Sequence, residues 1–249
     1  MVQILGVGHS CFERSIFMKE PLKPPYLEQV DRRGDLQIWI VDGIYIRGHI
    51  DEEFTNFGQH FRFSYIPEKE LWLDQEAHHD ERQFFIDHLL VEYRLMKRGM
   101  PYEDAIVEAD KHERKERRSA GDLKKITRLS QKLPNGKEMH EKMWKKLENG
   151  ITVWLVNGRL VRSTFDIDFT EGGHDKVYEF VPENEVWIDD DIIEQERGYV
   201  LLHELHERNR MAEGLPYSRA HAESSKLEYH YCRHHPDELH DALAIEGWA

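Results

Sequence analysis

The chain has 249 residues, a third of them charged, and a formal net charge of -14 at pH 7. This length suits one large domain or two smaller ones, and the acidic balance argues against a general nucleic-acid-binding protein. No apolar run approaches about 18 residues and no basic N-terminal region precedes an apolar segment, so neither a membrane span nor a secretion signal is expected. The two cysteines, Cys11 and Cys232, lie far apart, which favours free thiols and a cytoplasmic location.

The same sequence pattern occurs twice along the chain. With an offset of 115 residues, residues 37–113 align with residues 152–228 without a gap, and about a third of the aligned pairs are identical. Self-similarity at a fixed spacing is the signature of a duplicated structural unit. The chain is therefore expected to divide into an N-terminal arm over 1–35, a first module over 36–114, a basic linker over 115–149, a second module over 150–230 and a His-rich tail over 231–249.

The arm is expected to be irregular, because prolines at positions 21, 24 and 25 interrupt regular structure. Each module then begins with two apolar runs on either side of Asp42-Gly43 or Asn157-Gly158. These dipeptides tolerate positive φ angles and are the strongest short-range signal for a β-hairpin. A hairpin is therefore predicted at both places.

Further strands and two helices complete each predicted module. The strands are expected over 61–67 and 70–74 in the first copy, and over 176–182 and 185–189 in the second. Two helices joined by a short turn with Gly and Pro follow in each copy. The predicted fold class is α+β: two tandem modules, each a small antiparallel β-sheet followed by a helical hairpin.

The linker and the tail differ from the modules in composition. Residues 111–147 include thirteen Lys or Arg and five Asp or Glu. This region could bind nucleic acid or a protein partner, but few aromatic residues interleave the basic ones, so a solvated helical linker broken at Pro134 is the simpler interpretation. The tail has several histidines near Cys232 and could bind metal. Without paired cysteines, a mobile extension is the simpler expectation.

The helical hairpin of the second module carries a candidate metal site. Glu196, His203 and Glu207 are separated by seven and four residues, which places them on one helix face. His203 and Glu207 could bind one divalent ion together, and His221 on the second helix is the best third ligand. Glu204 lies where a general base could reach a metal-bound water.

Four residues are candidates for additional ligands or for hydrogen-bond partners of the ligands: Glu196, Glu228, Asp189 and Tyr217. Glu228 lies seven residues after His221 and therefore on the same helix face. For Asp189, which ends the last predicted strand, a helix N-cap is the simpler role. For Tyr217, packing is the simpler role.

The segment His203-Glu204-Leu205-His206-Glu207 resembles the active helix of the zincin metallohydrolases, which carries His-Glu-x-x-His. The resemblance covers about thirty residues, and Glu207 stands where those enzymes have the second histidine. It implies zinc, or another divalent metal, at His203, Glu207 and His221, with Glu204 as the base and a peptide or amide as substrate. The whole chain is also similar to a duplicated bacterial or phage family of unassigned role.

The first module offers an internal comparison. It retains four of the equivalent residues: Glu81, His88, Glu92 and Glu113. Leu89 and Ile106 replace the base and the third ligand, so this copy is expected to be catalytically silent. Alternatively, the shared Glu-His-Glu set is a structural polar core and the chain is a non-enzymatic interaction protein. A third possibility is a structural or redox iron or manganese site in both copies.

Overall fold

The computed structural model describes residues 25–121 and 136–248. These residues form two halves with the same succession of elements, so the predicted α+β class with two tandem modules is confirmed. The first half contains β1 Tyr26–Arg33, β2 Leu36–Val41, α1 Gly43–His49, β3 Phe57–Gln59, β4 Glu70–Asp74, α2 Arg82–Met96 and α3 Tyr102–Ala120. The second half contains a 3-10 turn Gly136–Met139, β5 His140–Lys146, β6 Thr152–Val156, α4 Gly158–Thr164, β7 Gly172–His174, β8 Glu185–Asp189, α5 Arg197–Ala212, α6 Tyr217–Arg233, a 3-10 turn Pro236–Glu238 and α7 Leu239–Ile245.

Each half has a four-stranded sheet, with strand orders β1-β2-β4-β3 and β5-β6-β8-β7. The central pairs, β2 with β4 and β6 with β8, are parallel, and the outer pairs are antiparallel. The sheets are thus mixed rather than antiparallel as predicted. A helix follows β2 and another follows β6. These helices begin the crossover connections that parallel neighbouring strands require, whereas a tight turn would give an antiparallel pair.

The hairpin prediction is wrong at both Asp-Gly and Asn-Gly. Asp42 and Asn157 instead begin the short helices α1 and α4. Asp42 Oδ1 accepts a hydrogen bond from the backbone N–H of Tyr45 at 3.0 Å, and Asn157 Oδ1 accepts one from Leu160 at 2.9 Å. Asp and Asn favour N-caps as much as turns, because one side-chain oxygen can serve either purpose.

The strands predicted over 61–67 and 176–182 are wrong as well, because these segments form turns. Their apolar side chains, such as Phe63 and Ile66, are buried at 7% and 1% exposure against the sheet. The strand pairing next to β4 and β8 comes instead from three-residue strands in the preceding loops. The apolar residues of these two segments anchor a turn against the sheet and do not pair with a neighbouring strand.

In each half, the strand that comes last along the chain, β4 or β8, is a central strand of its sheet and is buried on both faces. Leu71 and Leu73 of β4 pack against the helical hairpin, while Trp72 points to the other face and packs with Ile46 and Phe54. The second half repeats this arrangement around β8. Each helical hairpin is therefore fixed on its sheet by an apolar layer.

Parts of the expected arm, linker and tail belong to the folded halves. Residues 26–33 form β1, and residues 140–146 form β5, so the arm is not irregular and the linker is not helical there. The tail is not a mobile extension in its described part, because Ala242 and Leu243 of α7 are buried in the second core. Residues 1–24 and 122–135, with Cys11 and Pro134, lie outside the described residues.

Buried ion pairs join the two halves. Arg162 of the second half binds both carboxylate oxygens of Glu81 in the first half, at 2.9 and 2.5 Å, and also Asp189 at 2.6 Å. A second contact between the halves is a hydrogen bond from the backbone N–H of Ile193, in the second half, to Glu76 in the first half at 3.0 Å. Within the described ranges, no helix has the length and apolar character needed to cross a membrane.

Candidate metal centre

A cleft of about 200 Å³ lies between the two halves, beside α5 and α6. The second half lines it with His203, Glu204, His221 and Glu228, and the first half contributes Arg47. The cleft therefore opens onto the face of the helical hairpin that the sequence analysis singled out.

Two predicted ligands, His203 and His221, line this cleft, and both meet the buried Glu207. His203 Nε2 lies 3.2 Å from His221 Nδ1 and 3.4 Å from Glu207 Oε2, and His221 Nδ1 lies 2.7 Å from Glu207 Oε2. A tetrahedral ion with bonds of about 2.0 Å places its ligand atoms about 3.3 Å apart. The three donor atoms are thus spaced much like three corners of a coordination tetrahedron.

Local structure explains how the chain brings these atoms together. His203 and Glu207 are four residues apart on α5 and therefore neighbours on its surface. Gly214, in the turn after α5, has a φ of +99°, a left-handed conformation that glycine adopts easily. Ala220 is fully buried, and its small side chain lets α6 approach α5 closely, so that the adjacent His221 reaches His203.

Glu228 orients the imidazole of His203. The Nδ1–H group of His203 donates to Glu228 Oε2 at 2.9 Å, which leaves Nε2 directed at Glu207 and His221. A carboxylate on the far nitrogen is the usual support of a metal-binding histidine. Burial lowers the pKa of His203, but hydrogen bonds with Glu207 and Glu228 outweigh it and hold the pKa well above its usual range.

His174 supports Glu207 from β7, and the sequence analysis missed it. Its Nδ1 accepts a hydrogen bond from the backbone N–H of Lys176 at 3.2 Å, so its Nε2 carries the proton and donates to Glu207 Oε1 at 3.1 Å. His174, Glu204 and Glu207 also have donor atoms within 4.8 Å of one another. His174 is fully buried, whereas His203 and His221 line the cleft, so the set with His203 and His221 is the better metal centre.

Glu207 remains ionised in this environment. Burial favours its neutral form, yet hydrogen bonds with His174, His203 and His221 hold the pKa of Glu207 far below its usual range. The centre therefore combines an ionised carboxylate with two imidazole nitrogens that release their protons when they bind a metal ion.

Glu204 has a carboxylate oxygen within 4.8 Å of a Glu207 oxygen. A side chain at Gly172 would come within 3.0 Å of Glu204 Cγ, so the glycine leaves space for this carboxyl group. Burial, together with the carboxylates of Glu207 and Glu228, raises the pKa of Glu204 to about 8 against the opposing charge of His203. A carboxyl group that exchanges a proton near neutral pH suits acid–base catalysis.

The first half holds a related arrangement beside its own cavity of about 260 Å³, which His88 and Glu92 line. His88 is only 3% exposed; its Nδ1 lies 2.9 Å from Glu113 Oε2, and its Nε2 lies 3.5 Å from Glu92 Oε2. Phe57, in the position of Gly172, places its ring centre 5.0 Å from that of His88. Burial lowers the pKa of His88, but its two carboxylate partners raise it to about 9. This copy is a buried ionic core without a second imidazole.

The other predicted residues have different roles. Glu196 lines the cleft at the start of α5. The N-cap role for Asp189 is wrong, because the cap position of α5 is Glu196 and Asp189 is paired with Arg162 outside the cleft lining. Tyr217 stacks on His221, with 5.4 Å between ring centres, and is 48% exposed.

Comparisons with protein-family models, curated proteins and solved structures found no match for this chain. The resemblance to zincins therefore stays a prediction that depends on the helix motif.

Proposed function

We propose that the protein is a divalent-metal-dependent hydrolase of the metallopeptidase kind, with zinc bound by His203, Glu207 and His221. The observation that carries this proposal is the spacing of the three donor atoms, between 2.7 and 3.4 Å, with a carboxylate on the far nitrogen of His203. Two histidines and one glutamate are a ligand set found at catalytic zinc centres, where a fourth position stays open. Here two of the three ligands, His203 and His221, line the cleft.

The chain supplies the remaining groups of a hydrolytic site. A bound divalent ion polarises a carbonyl group and lowers the pKa of water. Glu204 would take a proton from the attacking water and return it to the leaving amine. His174 and Glu228 hold Glu207 and His203 in position by their hydrogen bonds.

Substitution of Glu204 tests this role. The Glu204→Gln variant keeps the shape of the side chain but cannot accept the proton, so cleavage of a mixed synthetic peptide library by the zinc-loaded protein should fall at least about 100-fold. Zinc content should not change, because Glu204 is not one of the three ligands. Glu194→Gln, an exposed glutamate outside the cleft, is the matched control. Equal cleavage by Glu204→Gln and the wild type would contradict the role.

The competing interpretation, a non-enzymatic interaction protein with a polar core, is favoured by one observation. The first half satisfies His88 with Glu92 and Glu113 in a buried set. If the second half worked in the same way, zinc would neither bind nor raise the melting temperature. The iron or manganese alternative, with a centre in both halves, predicts two metals per chain instead of one.

A further inference from the structure

The first half has a cavity where the second half has its cleft, and the two differ in chemistry. The cavity measures about 260 Å³. With the offset of 115 residues, three ionisable residues that line the cleft have aliphatic counterparts that line the cavity. The pairs are Glu204 and Leu89, His221 and Ile106, and Glu52 and Ile167. Positions that are polar around the candidate metal centre are thus apolar around this cavity.

Aromatic side chains form further walls of the cavity. Phe63 is 7% exposed, and the guanidinium carbon of Arg62 lies 5.0 Å from its ring centre and 5.1 Å from that of Tyr102. Phe57 also lines the cavity, with its ring centre 5.0 Å from that of His88. Aromatic rings pack favourably against other rings and against guanidinium groups. The cavity therefore offers an aromatic ring more contacts than an aliphatic chain.

The histidine of the cavity is paired within the chain. His88 Nε2 lies 3.5 Å from Glu92 Oε2, and His88 Nδ1 lies 2.9 Å from Glu113 Oε2. Arg117 on α3 is 1% exposed, and its Nε donates in turn to Glu113 Oε1 at 2.7 Å. Two carboxylates in the lining disfavour an acidic ligand by like-charge repulsion: those of Glu53 and Asp168. Recognition in this cavity therefore depends on its apolar and aromatic walls.

The cavity and the cleft adjoin where the two halves meet. Thr55 and Thr170 occupy equivalent positions, and both residues line the cavity as well as the cleft. Glu53 also lines both and is exposed, so the boundary between them extends to the surface. A ligand held at the candidate metal centre would therefore have the apolar cavity beside it.

We propose that the first-half cavity binds an aromatic side chain, so that the chain uses one half for recognition and the other for chemistry. At about 260 Å³ the cavity is smaller than sites for whole small molecules, which measure about 300–1,000 Å³, and it suits one side chain. The substrates are then peptides or amides with Phe or Tyr close to the cleaved bond. This substrate class rests on the proposed hydrolase function, whereas binding of the aromatic side chain does not.

Three probes that differ in one side chain test the cavity without any substitution: the Nα-acetyl amides of phenylalanine, leucine and alanine. Burial of the benzyl group adds apolar area and ring contacts. In calorimetric titrations, with zinc and after chelation, we expect the phenylalanine probe to bind at least about tenfold more tightly than the alanine probe and about threefold more tightly than the leucine probe. Undetectable binding, or equal binding of the phenylalanine probe and either of the others, would overturn the proposal.

Two substitutions on neighbouring residues of α3 assign the binding to this cavity. Ile106→Trp should fill the cavity and weaken the phenylalanine probe at least about tenfold. Val107→Trp, at a residue that is 47% exposed and outside the lining, should leave its binding unchanged. Undiminished binding to a folded Ile106→Trp protein would contradict the assignment. Should this variant fail to fold, Ile106→Ser should still weaken the phenylalanine probe about threefold and spare the alanine probe, and unchanged binding would count equally against the assignment.

Cleavage assays distinguish a failure of this inference from a failure of the hydrolase proposal. They use paired peptides that differ only in Phe or Ala, with wild type and Ile106→Trp at equal zinc content. A kcat/KM at least about tenfold higher for the Phe peptide, and lost in Ile106→Trp, would support both proposals. A protein without zinc or cleavage that still prefers the phenylalanine probe refutes the hydrolase and keeps the binding site. A zinc-loaded protein that cleaves both peptides equally does the reverse.

Discussion

His88 and His203 occupy equivalent positions in the two halves, but their surroundings differ. His88 contacts Phe57, Glu92 and Glu113, whereas His203 meets a second imidazole, and each histidine lines a cavity. One residue position thus supports an internal ion pair in the first half and a candidate metal centre in the second.

The pKa of His88 makes the stability of the protein depend on pH. This pKa is about 9 in the folded protein and 6.5 in an ordinary environment, so the unfolded chain releases the proton first. The stabilisation is fully present below about pH 6.5 and is lost as the pH rises through about 9, with a magnitude of about 3 kcal/mol. Urea unfolding of the wild type and of His88→Gln should therefore give a free-energy difference that shrinks across this range. A difference that stays constant would contradict the account.

At the level of elements, α7 closes the core of the second half. Leu243 is 7% exposed and packs in the cluster that includes Leu201 and Leu205, whereas Ile245 on the same helix is 81% exposed. Leu243→Ala should lower the free energy of unfolding by about 2 kcal/mol, because the truncation removes buried apolar surface at a site near the surface. Ile245→Ala should change it by less than about 0.5 kcal/mol. Equal effects of the two substitutions in denaturant titrations would mean that α7 does not pack as described.

The helical hairpins and the three candidate ligands could be predicted from the sequence because helix spacing fixes which residues share a face. The strand β1 could not, because it is an edge strand with mostly exposed residues and lacks apolar alternation. The segment around Asp42 was ambiguous, since a short helix and a hairpin use the same N-terminal residue type.

His174 and Arg117 escaped prediction for a different reason. Neither is identical in the two halves: Gln59 stands opposite His174, and Cys232 stands opposite Arg117. Yet Gln59 Nε2 donates to Glu92 Oε1 at 2.5 Å, as His174 Nε2 does to Glu207, so the donor role is retained although the residue type is not. A search for shared hydrogen-bonding capacity, rather than identity, would have found His174.

At the level of the whole molecule, the buried pairs of Glu81 couple the two halves. Burial favours the neutral form of Glu81, but Arg162 and Arg117 hold its pKa below the usual range. Glu81→Gln would leave two buried guanidinium groups with a neutral partner and should lower the free energy of unfolding by about 3–5 kcal/mol, in one transition for both halves. Asp80→Asn removes an exposed pair with Arg159 and should cost less than about 1 kcal/mol. Separate unfolding of the two halves in the wild type would contradict this coupling.

We propose that only the second half binds a metal ion, and metal analysis of matched variants tests this proposal. Purified wild type, His203→Ala and His88→Ala would be incubated with zinc, dialysed and measured by plasma mass spectrometry. We expect about one zinc per chain in the wild type and in His88→Ala, and none in a folded His203→Ala protein. No zinc in the wild type, or the same zinc content in both variants, would contradict it.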